Sequence, residues 1–175
     1  RIVNKLNREG LIRKAQSGFI TLSDRDLILD AWREDYAFNK HYIIRGHVAA
    51  RSGEGVLRHL STELEKRSAA YAATGLAAAW LLDRFAGFRT TTLYLAQIPS
   101  STLLDALSFR EDERGANVWL VIPNDEGVFH GASAIEEVRC VHPVQVYLDL
   151  KAHPERADEA ATRLRATHLS WRSDA

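Results

Sequence analysis

Residues 1–22 read RIVNKLNREGLIRKAQSGFITL, and their reading decides what kind of chain this is. Ile2, Val3 and Leu6 make an apolar stripe at helical spacing, with Arg1, Asn4, Lys5 and Arg8 on other faces. Gly10 stands where a helix closes with a left-handed residue. Two short β-prone runs follow, Leu11–Arg13 and Phe19–Leu22, joined by the small and polar Lys14-Ala15-Gln16-Ser17-Gly18. Helix, strand, basic loop, strand is the order of the second half of a winged helix-turn-helix. Between Arg1 and Lys14 there are five basic residues (Arg1, Lys5, Arg8, Arg13, Lys14) against one acid, Glu9. A basic helix beside a basic hairpin suits phosphate contact and groove reading. The same pattern also serves as ordinary solvated surface.

The rest of the composition narrows the field. Net charge is zero, so affinity for nucleic acid has to come from local clustering and not from a global field. The single cysteine, Cys140, excludes an intramolecular disulfide and a cysteine-based zinc site, and fits a cytoplasmic location. No apolar run is long enough to span a bilayer, so no membrane partner is expected. The chain contains no methionine and opens on Arg1 within the first helical pattern. We therefore expect one or two further helices and the turn upstream of it.

Ser23-Asp24-Arg25-Asp26 reads as a capping box, with Ser23 at the cap. The helix it opens puts Leu27, Ile28, Ala31, Trp32 and Tyr36 on one face, expected to be core or domain interface. Residues 1–36 thus form the end of a winged helix-turn-helix with a linker helix, and residues 37–175 an α/β domain. In that second unit, strands are expected at 41–46, 69–73, 90–96, 117–122 and 138–141. Helices are expected at 55–67, 74–82, 100–107, 142–150 and 154–169. The 74–82 helix is apolar nearly all round and should be buried. Strands and helices alternate, which predicts a mixed sheet and an overall α/β (α+β) fold.

Little in the second unit signals chemistry. Seven histidines are scattered without metal-ligand spacing, no nucleotide or hydrolase motif is present, and no cofactor is expected. Ser52-Gly53-Glu54-Gly55 lacks the lysine of a phosphate loop and reads as a flexible turn. Thr74-Gly75 heads the apolar helix; threonine can cap it and glycine permits close backbone approach. Asp149-Leu150-Lys151 matches the minimal acid-x-Lys of metal-dependent nucleases, for which Asp125 or Glu126 would supply another carboxylate. Because the tripeptide falls on a helix, a solvated helix end is the expected explanation.

Taken in order, RIVNKLNREGLIRKAQSGFITLSDRDLILDAW, YAATGLAAAWLL and HPVQVYLDLKAHPERADEAATRLR resemble three segments of the AbiEi-family antitoxin regulators of type IV toxin–antitoxin systems. The resemblance implies a transcriptional regulator and not an enzyme, one that represses its own operon. It implies double-stranded operator DNA as one partner, with a homodimer suited to inverted repeats. A nucleotidyltransferase-like toxin would be the other partner. Carried onto this sequence, DNA contacts fall to Arg1, Asn4, Lys5 and Arg8 on the helix and to Arg13, Lys14, Gln16 and Ser17 on the wing. Asn4 or Arg1 would read bases and the others phosphates. Two readings stay open beside it: a Mg²⁺-dependent nuclease centred on Asp149 and Lys151, and a protein-interaction module without DNA binding.

Overall fold

A computed structural model describes residues 2–170, which divide into two compact units at Tyr36/Ala37. In the first, α1 (Ile2–Arg8) is followed by β1 (Ile12–Lys14), β2 (Ile20–Leu22) and α2 (Arg25–Asp35). α1 ends in a Schellman turn: Gly10 takes φ +75°, its N–H donates to Asn7 O, and Leu11 N–H donates to Leu6 O. A side chain at Gly10 would strain that left-handed backbone. β1 and β2 pair antiparallel with Ile12 opposite Leu22 and Lys14 opposite Ile20. The loop between them closes through Ala15 N–H to Phe19 O at 2.9 Å.

Two expectations for this unit are corrected. The cap of α2 is Asp24, not Ser23: its carboxylate accepts from Asp26 N at 2.8 Å and Leu27 N at 3.2 Å. Asp24 has the extended backbone of a capping residue, whereas Ser23 belongs to the end of the hairpin, its N–H donating to Leu11 O. The apolar face is also shifted. Leu29 is buried, but Leu27 and Trp32 remain 56% and 50% exposed, so neither is core.

The second unit is a seven-stranded mixed sheet with helices on both faces. Its strands are β3 (Tyr42–His47), β4 (Tyr71–Thr74), β5 (Thr91–Leu95), β6 (Arg110–Glu111), β7 (Val118–Ile122), β8 (Ser133–Ile135) and β9 (Val138–Cys140). They lie in the order β6-β3-β7-β5-β4-β9-β8. β5/β7 and β4/β9 are parallel and the remaining pairs antiparallel. The helices are α3 (Gly53–Lys66), α4 (Gly75–Asp83), α5 (Ser101–Ala106), α6 (Pro143–Asp149) and α7 (Ala157–His168). β6 and β8, two and three residues long, were not expected: neither has room for the alternation that marks a strand. Val128 and Phe129 fall in a 3-10 turn, Glu126–Phe129. The Ser52–Gly55 segment is no flexible turn, because Ser52 caps α3 by accepting from Gly55 N.

Side chains alternate along β5, and the alternation sorts the layers. Thr91 Oγ1 donates to Gly53 O at the head of α3, while Thr92 Oγ1 meets His153 Nε2 just beyond α6. α3 therefore covers one face and α6 the other. α4 is buried along most of its length, with Ala77 and Ala78 fully enclosed. No described helix is long and apolar enough to cross a membrane.

The cap assignment is testable. Asp24→Ala should weaken α2 by about 1 kcal/mol and Ser23→Ala should leave it nearly unchanged. Amide hydrogen exchange of α2 in the two variants is the measurement.

Candidate nucleic-acid interface and the buried carboxylate

The sequence-predicted contact residues fall on two adjoining elements of the first unit. Asn4, Lys5 and Arg8 are exposed on α1, Arg13 and Lys14 on β1, and Gln16 and Ser17 in the hairpin loop. Arg1 lies outside the described residues. Helix and hairpin are tied directly: Lys14 N–H donates to Asn7 Oδ1 at 3.1 Å. Lys5 lies 3.7 Å from Glu9, an exposed i,i+4 pair that leaves the lysine head two-thirds accessible. Pairs of this kind contribute little and exchange readily for another anion.

In the second unit the structure gathers residues that the sequence leaves far apart. Asp149 is wholly buried at the end of α6. Thr74 Oγ1 donates to its Oδ2 at 2.5 Å, and Tyr94 Oη and Gln145 Nε2 donate to its Oδ1 at 3.0 and 2.9 Å. A carboxylate removed from water needs such donors, because desolvation otherwise costs several kcal/mol. Behind Tyr94 stands His41. Its Nδ1 faces Asn124 N–H at 3.2 Å and must accept, so Nε2 carries the proton and meets Tyr94 Oη at 3.2 Å. The Tyr94 hydroxyl proton is then directed at Asp149.

His153 is held just as closely. Its Nδ1 lies 2.8 Å from Asp149 O, which can only accept, so Nε2 receives the Thr92 hydroxyl at 2.8 Å. Its ring packs against Trp119 and Phe38, with centroids 5.0 and 5.1 Å away. Burial pushes its pKa down to about 4 and lowers that of His41. Gly75, at φ +59°, completes the arrangement: a Cβ there would lie 2.4 Å from His153 Nε2. The glycine is required for both its backbone and its lack of a side chain.

This geometry corrects the reading of residues 149–151. Asp149 is no solvated helix end, and Lys151 is exposed while Asp149 is enclosed, so they do not face one substrate. Asp125 is committed locally, accepting from Gly127 N at 2.7 Å, and Glu126 is exposed in the same turn. No group of three or more metal-binding side chains occurs among the described residues. Thr74 makes no side-chain cap to α4, as its hydroxyl is given to Asp149. His142, by contrast, does cap α6 through Nδ1. Tyr94 and His41 were missed because nothing local marks them, and Asp149 was singled out with Lys151 and not with the residues that surround it. The one available signal was Gln145 four residues before Asp149, flanked by the apolar Leu148 and Leu150.

The fold is that of a two-unit α/β protein whose second unit is built on a fully used buried carboxylate. A family model described as "Transcriptional regulator, AbiEi antitoxin, Type IV TA system" matches residues 21–169, and the chain belongs to that family. The match takes in β2's last two residues, α2 and the second unit, so α1 and β1 precede it. No curated protein and no solved structure matches the chain.

Two outcomes follow for the buried cluster. Asp149→Ala strands three donors and should cost about 3 kcal/mol or more, against about 1 kcal/mol for Tyr94→Phe, read from urea unfolding. His153 is neutral when folded and binds a proton more readily when unfolded. Stability should therefore be full above pH 6.5 and fall as the pH drops toward about 4. His153→Gln should flatten that slope.

Proposed function

We propose that this regulator binds its own operator as duplex DNA through α1 and the β1–β2 hairpin, and so represses its operon as the antitoxin of a cytoplasmic toxin–antitoxin pair. The observation that carries the reading is the exposed cationic surface of the first unit. Lys5, Arg8, Arg13 and Lys14 sit on a helix and ribbon joined by the Asn7–Lys14 hydrogen bond. Such a surface attracts phosphates without sequence preference, while Asn4 on the helix supplies the bidentate amide that reads adenine. Gln16 and Ser17 at the hairpin tip add neutral donors for the sugar–phosphate backbone.

The second unit supplies a different kind of surface. Its cluster is spent internally, and it would serve as a rigid body for a nucleotidyltransferase-like toxin or for a second copy on an inverted repeat. Family membership supports both partners. The nuclease reading loses its support with the burial of Asp149.

Salt titration decides the matter. Binding of the chain to operator-region DNA should weaken linearly in log–log form as salt rises, and Lys5→Glu with Lys14→Glu should abolish it. Unchanged binding in the double variant would remove α1 and the hairpin from the interface.

A further inference from the structure

The hairpin carries exposed apolar side chains that its cationic character does not explain: Ile20 and Leu22 are 48% and 54% exposed, and a third residue stands out further. Phe19 is 75% exposed, the highest value among the large apolar side chains described. Its place follows from the register. Arg13 pairs with Thr21 and Lys14 with Ile20, and Ala15 faces Phe19 through the bond that closes the loop. Alternation puts Ile12, Lys14, Ile20 and Leu22 on one face and Arg13, Ala15, Phe19 and Thr21 on the other. On the first of these faces Ile12 is buried, whereas Lys14, Ile20 and Leu22 are exposed, so only its Ile12 end is covered. Phe19 falls on the other face, in the row that holds Arg13. There the Thr21 hydroxyl is turned to Arg13 O at 3.4 Å.

The loop closes through backbone atoms that any residue provides, and a ring left in water forgoes the stabilisation of burial. We propose that Phe19 is a direct, non-ionic contact of the hairpin with duplex DNA. Its ring lies against sugar and base edges in the minor groove, while Arg13 neutralises the phosphate beside it. Apolar side chains projecting from a basic ribbon or arm suit that groove, where stacking and sugar contact add affinity that counterions do not screen. This inference rests on the DNA-binding reading above and assigns that surface a second, uncharged component.

The two components separate in one experiment. Binding of the 175-residue chain and its variants to A·T-rich and G·C-rich duplexes is measured across a salt series, with circular dichroism as the check on folding. Phe19→Ala should lower affinity by about tenfold at every salt concentration with an unchanged slope, and Phe19→Trp should retain it. Lys14→Gln should reduce the slope by about 0.9. If Phe19→Ala binds as tightly as the parent while Lys14→Gln loses slope, the proposal is overturned and the DNA-binding reading stands. If no duplex shows salt-dependent binding, both fall. Sedimentation gives the remaining outcome: self-association abolished by Phe19→Ala, with DNA binding intact, would assign the ring to a second copy of the chain and overturn the proposal.

Discussion

The second unit depends on the burial of one carboxylate. Asp149 ends α6, and its donors include Thr74 at the junction of β4 with α4, Tyr94 on β5 and Gln145 on α6 itself. Charge-assisted hydrogen bonds of this kind contribute about 1.5–3 kcal/mol each, enough together to offset a desolvation cost of several kcal/mol. None is expendable, because each donor left without its acceptor would become a cost of its own. The carboxylate thus fixes where a helix late in the chain docks on strands formed much earlier. His153 extends the restraint by bonding the Asp149 carbonyl and the Thr92 hydroxyl together, in a space that exists only because residue 75 is glycine.

A neutral chain can still present a charged face, and the distribution of partners shows how. In the second unit many charges are paired among themselves: Glu136 bridges Arg58 and Arg84, Asp83 holds Arg163, and Glu63 takes both Lys66 and Arg67. Arg84 also stacks on Trp80 at 3.6 Å, and Arg165 donates to Tyr147. In the first unit the basic residues of α1 and β1 outnumber the acids, and Glu9 is the single acid between Arg1 and Lys14. Zero net charge therefore masks a local excess, which is the quantity that matters within a Debye length of about 10 Å.

The regular elements were legible in the sequence because periodicity and punctuation agree there. The apolar run at 74–82, the β-branched 90–96 and the continuous 117–122 all became elements within a residue or two of their expected ends. Gly10 closes α1 as its position implies. The buried cluster was not legible, since its members lie between position 41 and position 153 and meet only through the sheet's strand order. Asp149 illustrates the difficulty. An acid two residues before a lysine at a helix end reads as surface, and only knowledge that Thr74 and Tyr94 end up beside it changes that. Leu27 and Trp32 failed in the opposite direction: a helical stripe shows which side is apolar and leaves open how much of it is covered.

The junction of α1 with the hairpin has a mechanical meaning. Two backbone bonds of the Schellman turn and the Asn7–Lys14 bond brace the helix against the ribbon, and the Ser23–Leu11 bond closes the ribbon's open end. The pair behaves as a caliper with a set jaw width. If duplex DNA is bound there as proposed, it has to match that width or be bent to it. Selectivity for shape can then arise without any side chain reading a base.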